Sequence, residues 1–253
     1  MTLPKLTGGG YEILAVGAKK IGMSTVTQNA RRLNLPEEKL LGDWIVTIPG
    51  FTLEKYRKLQ RSRLSIFAIN CFGGMLSNTL GLPFRSPFIN LWLDALEYIR
   101  FLSTPHIYME KQFLLKKTVW SDILKINYPI VALGDITIYM NHYPSFDEGV
   151  TKWNERKQKI NWYNIFVMAY TTDEKILEKF DELPHAKKVC FFPFKSDLDS
   201  AWYINPEIDK RTPKNFTPKN FGEAILRFAA GTLFYYDVFD MLLYGKKTPL
   251  IEM

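Results

Sequence analysis

Cysteine and histidine are scarce in this chain. Its 253 residues include two cysteines, Cys71 and Cys190, and three histidines, His106, His142 and His185. Two thiols exclude a disulfide framework and a zinc site built from cysteine alone. Three imidazoles leave little room for a His-rich metal centre, so neither a metal nor another cofactor is expected. Long apolar runs are also lacking. The longest, residues 64–69 and 165–170, fall far short of the ~20 residues that a bilayer-spanning helix needs. Residues 1–10 lack the charged start and apolar core of a secretory leader. The expectation is a cytoplasmic protein with reduced thiols and no membrane span. No repeat period or low-complexity tract occurs. Residues 17–22 (GAKKIG) miss the middle glycine of a dinucleotide fingerprint and the Gly-Lys-Ser/Thr of a P-loop, and read as an ordinary strand-to-helix loop.

Aromatics, by contrast, are plentiful: 18 Phe, 13 Tyr and 6 Trp can fill a large core, which excludes disorder across the whole chain. The net charge of +7 gives a weak preference for acidic partners. The basic stretches at 152–159 and 210–219 lack the aromatic interleaving of a nucleic-acid platform, so no nucleic-acid partner is expected.

Apolar runs at 11–16, 44–48, 64–70, 164–170 and 189–192 read as strands. Residues 128–140 read as one or two strands, with a hairpin around Gly134 and Asp135. Helical spacing marks 25–33, 53–60, 75–80, 88–110 (broken at Pro105), 147–160 and 221–244 (interrupted at Gly231). Thr52 is predicted to cap the helix at 53, and Thr172 a helix running through Leu183. The order over the first sixty residues is βαβα, which suggests a parallel-sheet fragment. The predicted fold class is α/β or mixed α+β, a sheet flanked by helices with a small N-terminal βαβα unit. The expected division is residues 1–61 and 62–253.

Cys71 stands out by position. It follows a hydrophobic strand and precedes Gly73 and Gly74, where a helix should begin. A helix N-terminus stabilises a thiolate, and the glycines permit close backbone approach to an anion. Asn70 offers an amide to an oxyanion. His142, at another strand end, is a candidate general base, with Asp135 or Asp147 to orient its ring. The bland alternative makes Cys71 a small packing residue. His106 and His185 read as structural, and Cys190 as a buried, inert thiol. Asp197 and Asp199 are the nearest thing to a metal-binding pair and read as caps of a helix turn.

Residues 65–74 (SIFAINCFGG), 81–88 (GLPFRSPF), 141–143 and 153–164 (WNERKQKINWYN) together resemble a bacterial domain-of-unknown-function family, number 1919 among such domains, to which exopolysaccharide biosynthesis is commonly ascribed. The resemblance covers residues 62 to 205, with Phe72 standing where Trp is frequent. Residues 1–61 look like a shortened relative of the nucleotide-binding-like domain that precedes it in some members. The order of motifs is also similar to that of papain-like cysteine acyltransferases and peptidases of antibiotic pathways. The resemblance implies cysteine-dependent acyl transfer to a sugar or glycan precursor, from an acyl carrier or ester. Gly73, Gly74, Ser86, Asn141 and Arg156 would then meet the substrate. Two other classes stay open. One is a glycosyltransferase-type or accessory protein that meets a phosphate-bearing precursor through Arg156, Lys157 and Lys159. The other is a non-catalytic assembly partner. Tyr235, Tyr236 and Tyr244 are candidates for a homo-oligomer contact.

Overall fold

The computed structural model describes residues 11–16, 44–122, 124–205, 218–230 and 235–250. The chain divides into two units. One draws on Met1–Arg63, Met75–Pro83 and Pro206–Met253, the other on Leu64–Gly74 and Phe84–Asn205.

In the first unit, β1 (Tyr11–Val16) pairs with β2 (Trp44–Pro49) in antiparallel register, Tyr11 opposite Pro49 and Val16 opposite Trp44. This corrects the parallel fragment expected from the βαβα order. Local apolar pattern is the same for both strand directions, and only the ladder hydrogen bonds distinguish them. The triple glycine at 8–10, the loop at 17–22 and the helix expected at 25–33 lie outside the described residues. β2 ends at Gly50, whose φ of +75° belongs to the left-handed region. Helix α1 (Leu53–Arg61) follows, capped as predicted by Thr52, whose hydroxyl accepts from the Lys55 amide at 3.1 Å. It buries Tyr56 and Leu59.

The second unit is built on four parallel strands. β3 (Ser65–Ala68), wholly buried, leads into α2 (Phe72–Thr79). α3 (Ala95–Ser103) and α4 (Pro105–Glu110) come next. An antiparallel sheet follows, β4 (Phe113–Ser121), β5 (Ile126–Leu133) and β6 (Ile136–Tyr139), in the order β4-β5-β6 with a bulge between Leu115 and Lys117. The hairpin expected at Gly134 and Asp135 is there. α5 (Phe146–Lys157) is capped by Ser145. β7 (Ile165–Tyr170), α6 (Glu174–Asp181), β8 (Lys188–Phe192) and β9 (Ala201–Tyr203) complete the unit. The parallel order is β3-β7-β8-β9. Asp173, not Thr172, caps α6, because its carboxylate accepts from the Lys175 amide at 2.9 Å. Residues 88–94 are not helical: Trp92 bridges Tyr139, with backbone bonds of 3.0 Å in both directions and the two rings stacked at 3.7 Å. Phe88, Phe101 and Trp153 form the aromatic centre of this unit, with Phe88 centred 4.7 Å from Phe101 and 5.4 Å from Trp153.

The remaining helices, α7 (Pro218–Ala229) and α8 (Val238–Tyr244), belong to the first unit. Asp237 caps α8 through the amides of Phe239 and Asp240, and Lys55 of α1 reaches Asp237 at 2.8 Å and Asp240 at 2.7 Å. Phe51 meets Phe239 edge-on at 5.6 Å. Gly231 lies outside the described residues. The described residues thus form a mixed α/β fold, a parallel and an antiparallel sheet flanked by helices, as the sequence predicts.

Two expectations follow from this packing. A Cβ on Gly50 would run into the buried Asp237 carboxylate and would sit on a left-handed residue. Gly50→Ala is expected to cost roughly 2–4 kcal/mol in urea unfolding; unchanged stability would refute this account. Lys187 donates to Asn164 Oδ1 at 2.5 Å, and burial lowers its amine to about 8 from 10.5. Below pH 8 both folded and unfolded states carry the proton, and the fold bears the charge. Between pH 8 and 10.5 the unfolded chain binds more protons, so this group's contribution to stability rises with pH. Lys187→Met is expected to gain less, relative to wild type, at pH 9.5 than at pH 7.

Candidate functional site

Cys71 lies just beyond the carboxyl end of β3, in the turn that opens α2, and it is half-exposed. Strand ends of this polarity are where open parallel sheets gather ligands. Asn70 shapes the turn. Its side-chain carbonyl accepts from the Phe72 amide at 3.0 Å, and its amide meets the hydroxyl of Tyr170, the last residue of β7. Both ends of the Asn70 side chain are therefore engaged in holding the turn.

Gly73 and Gly74 also have a packing reason. A Cβ on Gly73 would stand 3.2 Å from Ile66 Cγ2, 3.3 Å from Ala68 Cβ and 3.4 Å from the Ile66 carbonyl. One on Gly74 would stand 3.2 Å from Ile89 Cγ2. The close approach expected of these glycines is made to strand β3 and to Ile89.

A second group of residues is tied together around the Ile89 carbonyl. Tyr143 is buried, and its hydroxyl donates to the Ile89 carbonyl at 2.7 Å while accepting from Arg156 Nη1. Arg156 also donates to the Ile89 carbonyl at 3.4 Å, and its guanidinium carbon lies 5.5 Å from the centre of the Phe84 ring. Burial raises the hydroxyl pKa of both Tyr143 and Tyr170. The charge of Cys71 acts in the same direction on each, which places the thiol within electrostatic reach of both hydroxyls. Ser86, also buried, uses its hydroxyl to accept from the Phe88 amide at 3.1 Å, fixing the segment that carries Ile89.

His142 is exposed and sits on the turn closed by the Tyr143 amide and the Met140 carbonyl, 2.9 Å apart. It precedes Tyr143 in the chain. Asn141 is half-buried, and its side-chain oxygen is buried without a hydrogen-bond partner. Asp147 is exposed in the first turn of α5, which begins shortly after His142 in the chain. Asp135 is elsewhere. It precedes β6, whereas His142 follows it. Its carboxylate accepts from the Tyr108 hydroxyl at 2.8 Å and pairs with Arg100 at 3.3 Å and Lys111 at 3.6 Å. The Tyr108 bond holds the Asp135 carboxyl below its ordinary range, while burial and Asp135 push Tyr108 up to about 12. Asp135 serves this turn and not the His142 ring.

The other candidates have structural settings. Cys190 is fully buried, and burial raises its thiol pKa far above the ordinary value. His185 lies 3.0 Å from the Leu102 carbonyl, with burial lowering its imidazole. His106 packs on Trp162, ring centres 3.9 Å apart. Lys157 donates to the Met109 carbonyl at 2.9 Å, and Lys152 pairs with Glu155 at 2.9 Å, so the basic face of α5 is partly tied to its surroundings. Asp197 and Asp199 lie in the irregular stretch between β8 and β9, where no helix turn forms. Among the described residues no group of three His, Cys, Asp or Glu could hold a metal, and no helix is long and apolar enough to cross a membrane. Sequence reasoning passed over Tyr170 and gave Tyr143 no role. The available signal was their position, at the end of a strand and beside a chosen histidine.

The glycine contacts differ in kind. A Cβ on Gly73 would press Ile66, Ala68 and a strand carbonyl at once, whereas one on Gly74 would press the side chain of Ile89 alone. Gly73→Ala is expected to lower stability by about 1–2 kcal/mol after the helix-propensity gain. Gly74→Ala should stay within about 0.5 kcal/mol of wild type. Equal effects in thermal unfolding would contradict this packing.

Residues 45–222 match the model of the family described as Domain of unknown function (DUF1919). An uncharacterized protein of Haemophilus influenzae (strain ATCC 51907 / DSM 11121 / KW20 / Rd) is 32% identical over 190 residues, covering 73% of this chain and 84% of the relative. With the family match spanning most of the chain, the protein belongs to the DUF1919 family.

Proposed function

We propose that this protein is an enzyme of exopolysaccharide biosynthesis that transfers an acyl group through Cys71 to a sugar or glycan precursor. The observation that carries the reading is the setting of Cys71: a half-exposed thiol in the turn between β3 and α2, within electrostatic reach of Tyr143 and Tyr170. The resemblance of the Asn70–Gly74 and 141–143 motifs to the exopolysaccharide-associated family supplies the substrate class.

In this mechanism His142 takes the thiol proton as sulfur attacks the carbonyl carbon of a thioester or ester. A carbon–sulfur bond forms, and the donor's thiol or alcohol leaves with the proton from His142. In the second half, a sugar hydroxyl gives its proton to His142 and attacks the acyl-enzyme. The acyl–sulfur bond breaks, and Cys71 recovers its proton. Asp147 orients the imidazole. Backbone amides at the start of α2 stabilise the oxyanion.

The test is acylation by acetyl coenzyme A and by an aryl acetate, read by intact mass after acid quench. Wild type should gain a single acetyl group that maps to Cys71. Cys71→Ala should gain none, and His142→Ala should acylate at least ~100-fold more slowly. Unmodified wild type, or equal acetylation of Cys71→Ala, would overturn the reading.

A further inference from the structure

We infer that the outer face of the antiparallel sheet, at Trp92, Tyr139 and Glu97, binds neutral sugar units of a glycan. The inference deepens the acyl-transfer reading, on which it rests for the glycan's role as acceptor. Side chains alternate between the two faces along β5 and β6. Val131, Leu133, Ile136 and Ile138 fill the inner face and are buried. The outer face carries Tyr128, Thr137 and Tyr139, all half-buried. Trp92 joins it beside Tyr139, the two rings parallel at 3.7 Å, and is half-buried as well. The solvated face of such a sheet is ordinarily polar. A half-exposed aromatic row in its place marks a contact surface.

The place of Glu97 follows from two anchors on either side of it. The chain enters α3 beside Tyr139, through the Trp92 bridge, and Arg100 further along the helix pairs with Asp135 at 3.3 Å. Asp135 and Tyr139 flank the two ends of β6, on which α3 packs. Glu97 lies between them, one helical turn before Arg100 and on the same side of the helix. Its Oε2 is buried without a hydrogen-bond partner, while the residue is half-buried. A carboxylate that has lost part of its hydration and gained no donor is costly to the fold. A hydroxyl donating at its open side offsets that cost. A sugar ring offers such hydroxyls together with a C–H face that packs on aromatic rings, so one ligand serves Glu97 and the Trp92–Tyr139 pair. Charges of both signs interleave along β6. Asp94 and Glu97 are followed by Arg100 and Lys111 on Asp135, and by Lys116, which donates to the Thr137 hydroxyl at 3.1 Å. No field of one sign builds up, which favours an uncharged ligand over a phosphate or an ammonium. The surface also adjoins the strand that leads to the thiol: the Leu93 amide donates to the carbonyl of Ile69, two residues before Cys71, at 3.1 Å.

The experiment screens the full chain on a printed array of neutral oligosaccharides of glucose, galactose, mannose and N-acetylhexosamines, with sulfated and phosphorylated glycans alongside. The neutral glycan of strongest signal is then titrated by calorimetry. Wild type, Cys71→Ala and Tyr163→Ala should bind it alike, Tyr163 being a fully exposed aromatic residue just before β7. Trp92→Ala and Glu97→Ala should bind at least ~10-fold more weakly. Glu97→Ala removes a buried oxygen that has no partner, so it should melt no lower than wild type. It therefore reports on binding even if loss of the ring stack unfolds Trp92→Ala. Retention of no neutral glycan, retention of charged glycans alone, or equal affinity in Glu97→Ala overturns the sugar surface. Sugar binding without acyl-enzyme formation would sink only the acyl-transfer reading. Acyl-enzyme formation without sugar binding would sink only this one.

Discussion

Helix α2 lies on strand β3 with almost nothing between them, and the absence of a side chain at Gly73 is what allows it. Ile66 and Ala68 occupy the space a Cβ would need. Because the helix starts so close to the strand, the turn that joins them is short, and its polar groups must be satisfied locally. Asn70 does this with both ends of its side chain, one on the Phe72 amide and one on the Tyr170 hydroxyl. Tyr170 belongs to β7, the neighbour of β3 in the parallel sheet. The turn is therefore fixed to two strands, and Cys71 is the residue in it left half-exposed. The position of the thiol is a consequence of backbone packing several residues away.

Tyr143 plays a matching part in a neighbouring segment. One hydroxyl joins the last turn of α5, through Arg156, to the irregular segment that carries Ile89. Ile89 in turn faces Gly74. The same small region thus holds the helix start, the arginine and the tyrosine. Burial keeps both tyrosine hydroxyls protonated well into the alkaline range. Both therefore stay neutral hydroxyls, and Tyr143 has the cationic fork of Arg156 as its partner.

Much of this was legible in the sequence because it rests on local signals. The run into Asn70-Cys71 and the two glycines marked the β3–α2 turn, and Gly134 and Asp135 marked the β5–β6 hairpin. What escaped detection rests on long-range pairing. β4 shows little inward-facing apolar alternation: Leu114 and Leu115 are both exposed and a bulge follows. A strand of that kind owes its place to its partner β5. Helical spacing alone marks 75–80, whereas α2 runs from Phe72 through both glycines, residues of low helix propensity. Tertiary contact with β3 overrides that preference. Asp135 was correctly placed in a turn, yet its engagement with Tyr108, Arg100 and Lys111 brings together residues far apart in sequence.

The two ends of the parallel sheet differ in a way that bears on where chemistry takes place. At the amino ends of β3, β7 and β8, polar groups are matched to one another. The Ser65 hydroxyl accepts from the Asn161 amide at 2.9 Å, the Ser65 amide bonds the Asn164 carbonyl at 3.0 Å, and Lys187 bonds the Asn164 side chain. That end is closed by its own hydrogen bonds. Around Cys71 the matching is incomplete. Among the described residues, Nε and Nη2 of Arg156 meet no acceptor, and the buried Asn141 side-chain oxygen, on the turn before Tyr143, meets no donor. Folding alone does not favour such groups, because each gives up water without gaining a partner. A polar ligand would supply the partners these groups lack, which is the requirement the acyl-transfer proposal places on this end of the sheet. The matched amino end has no such requirement.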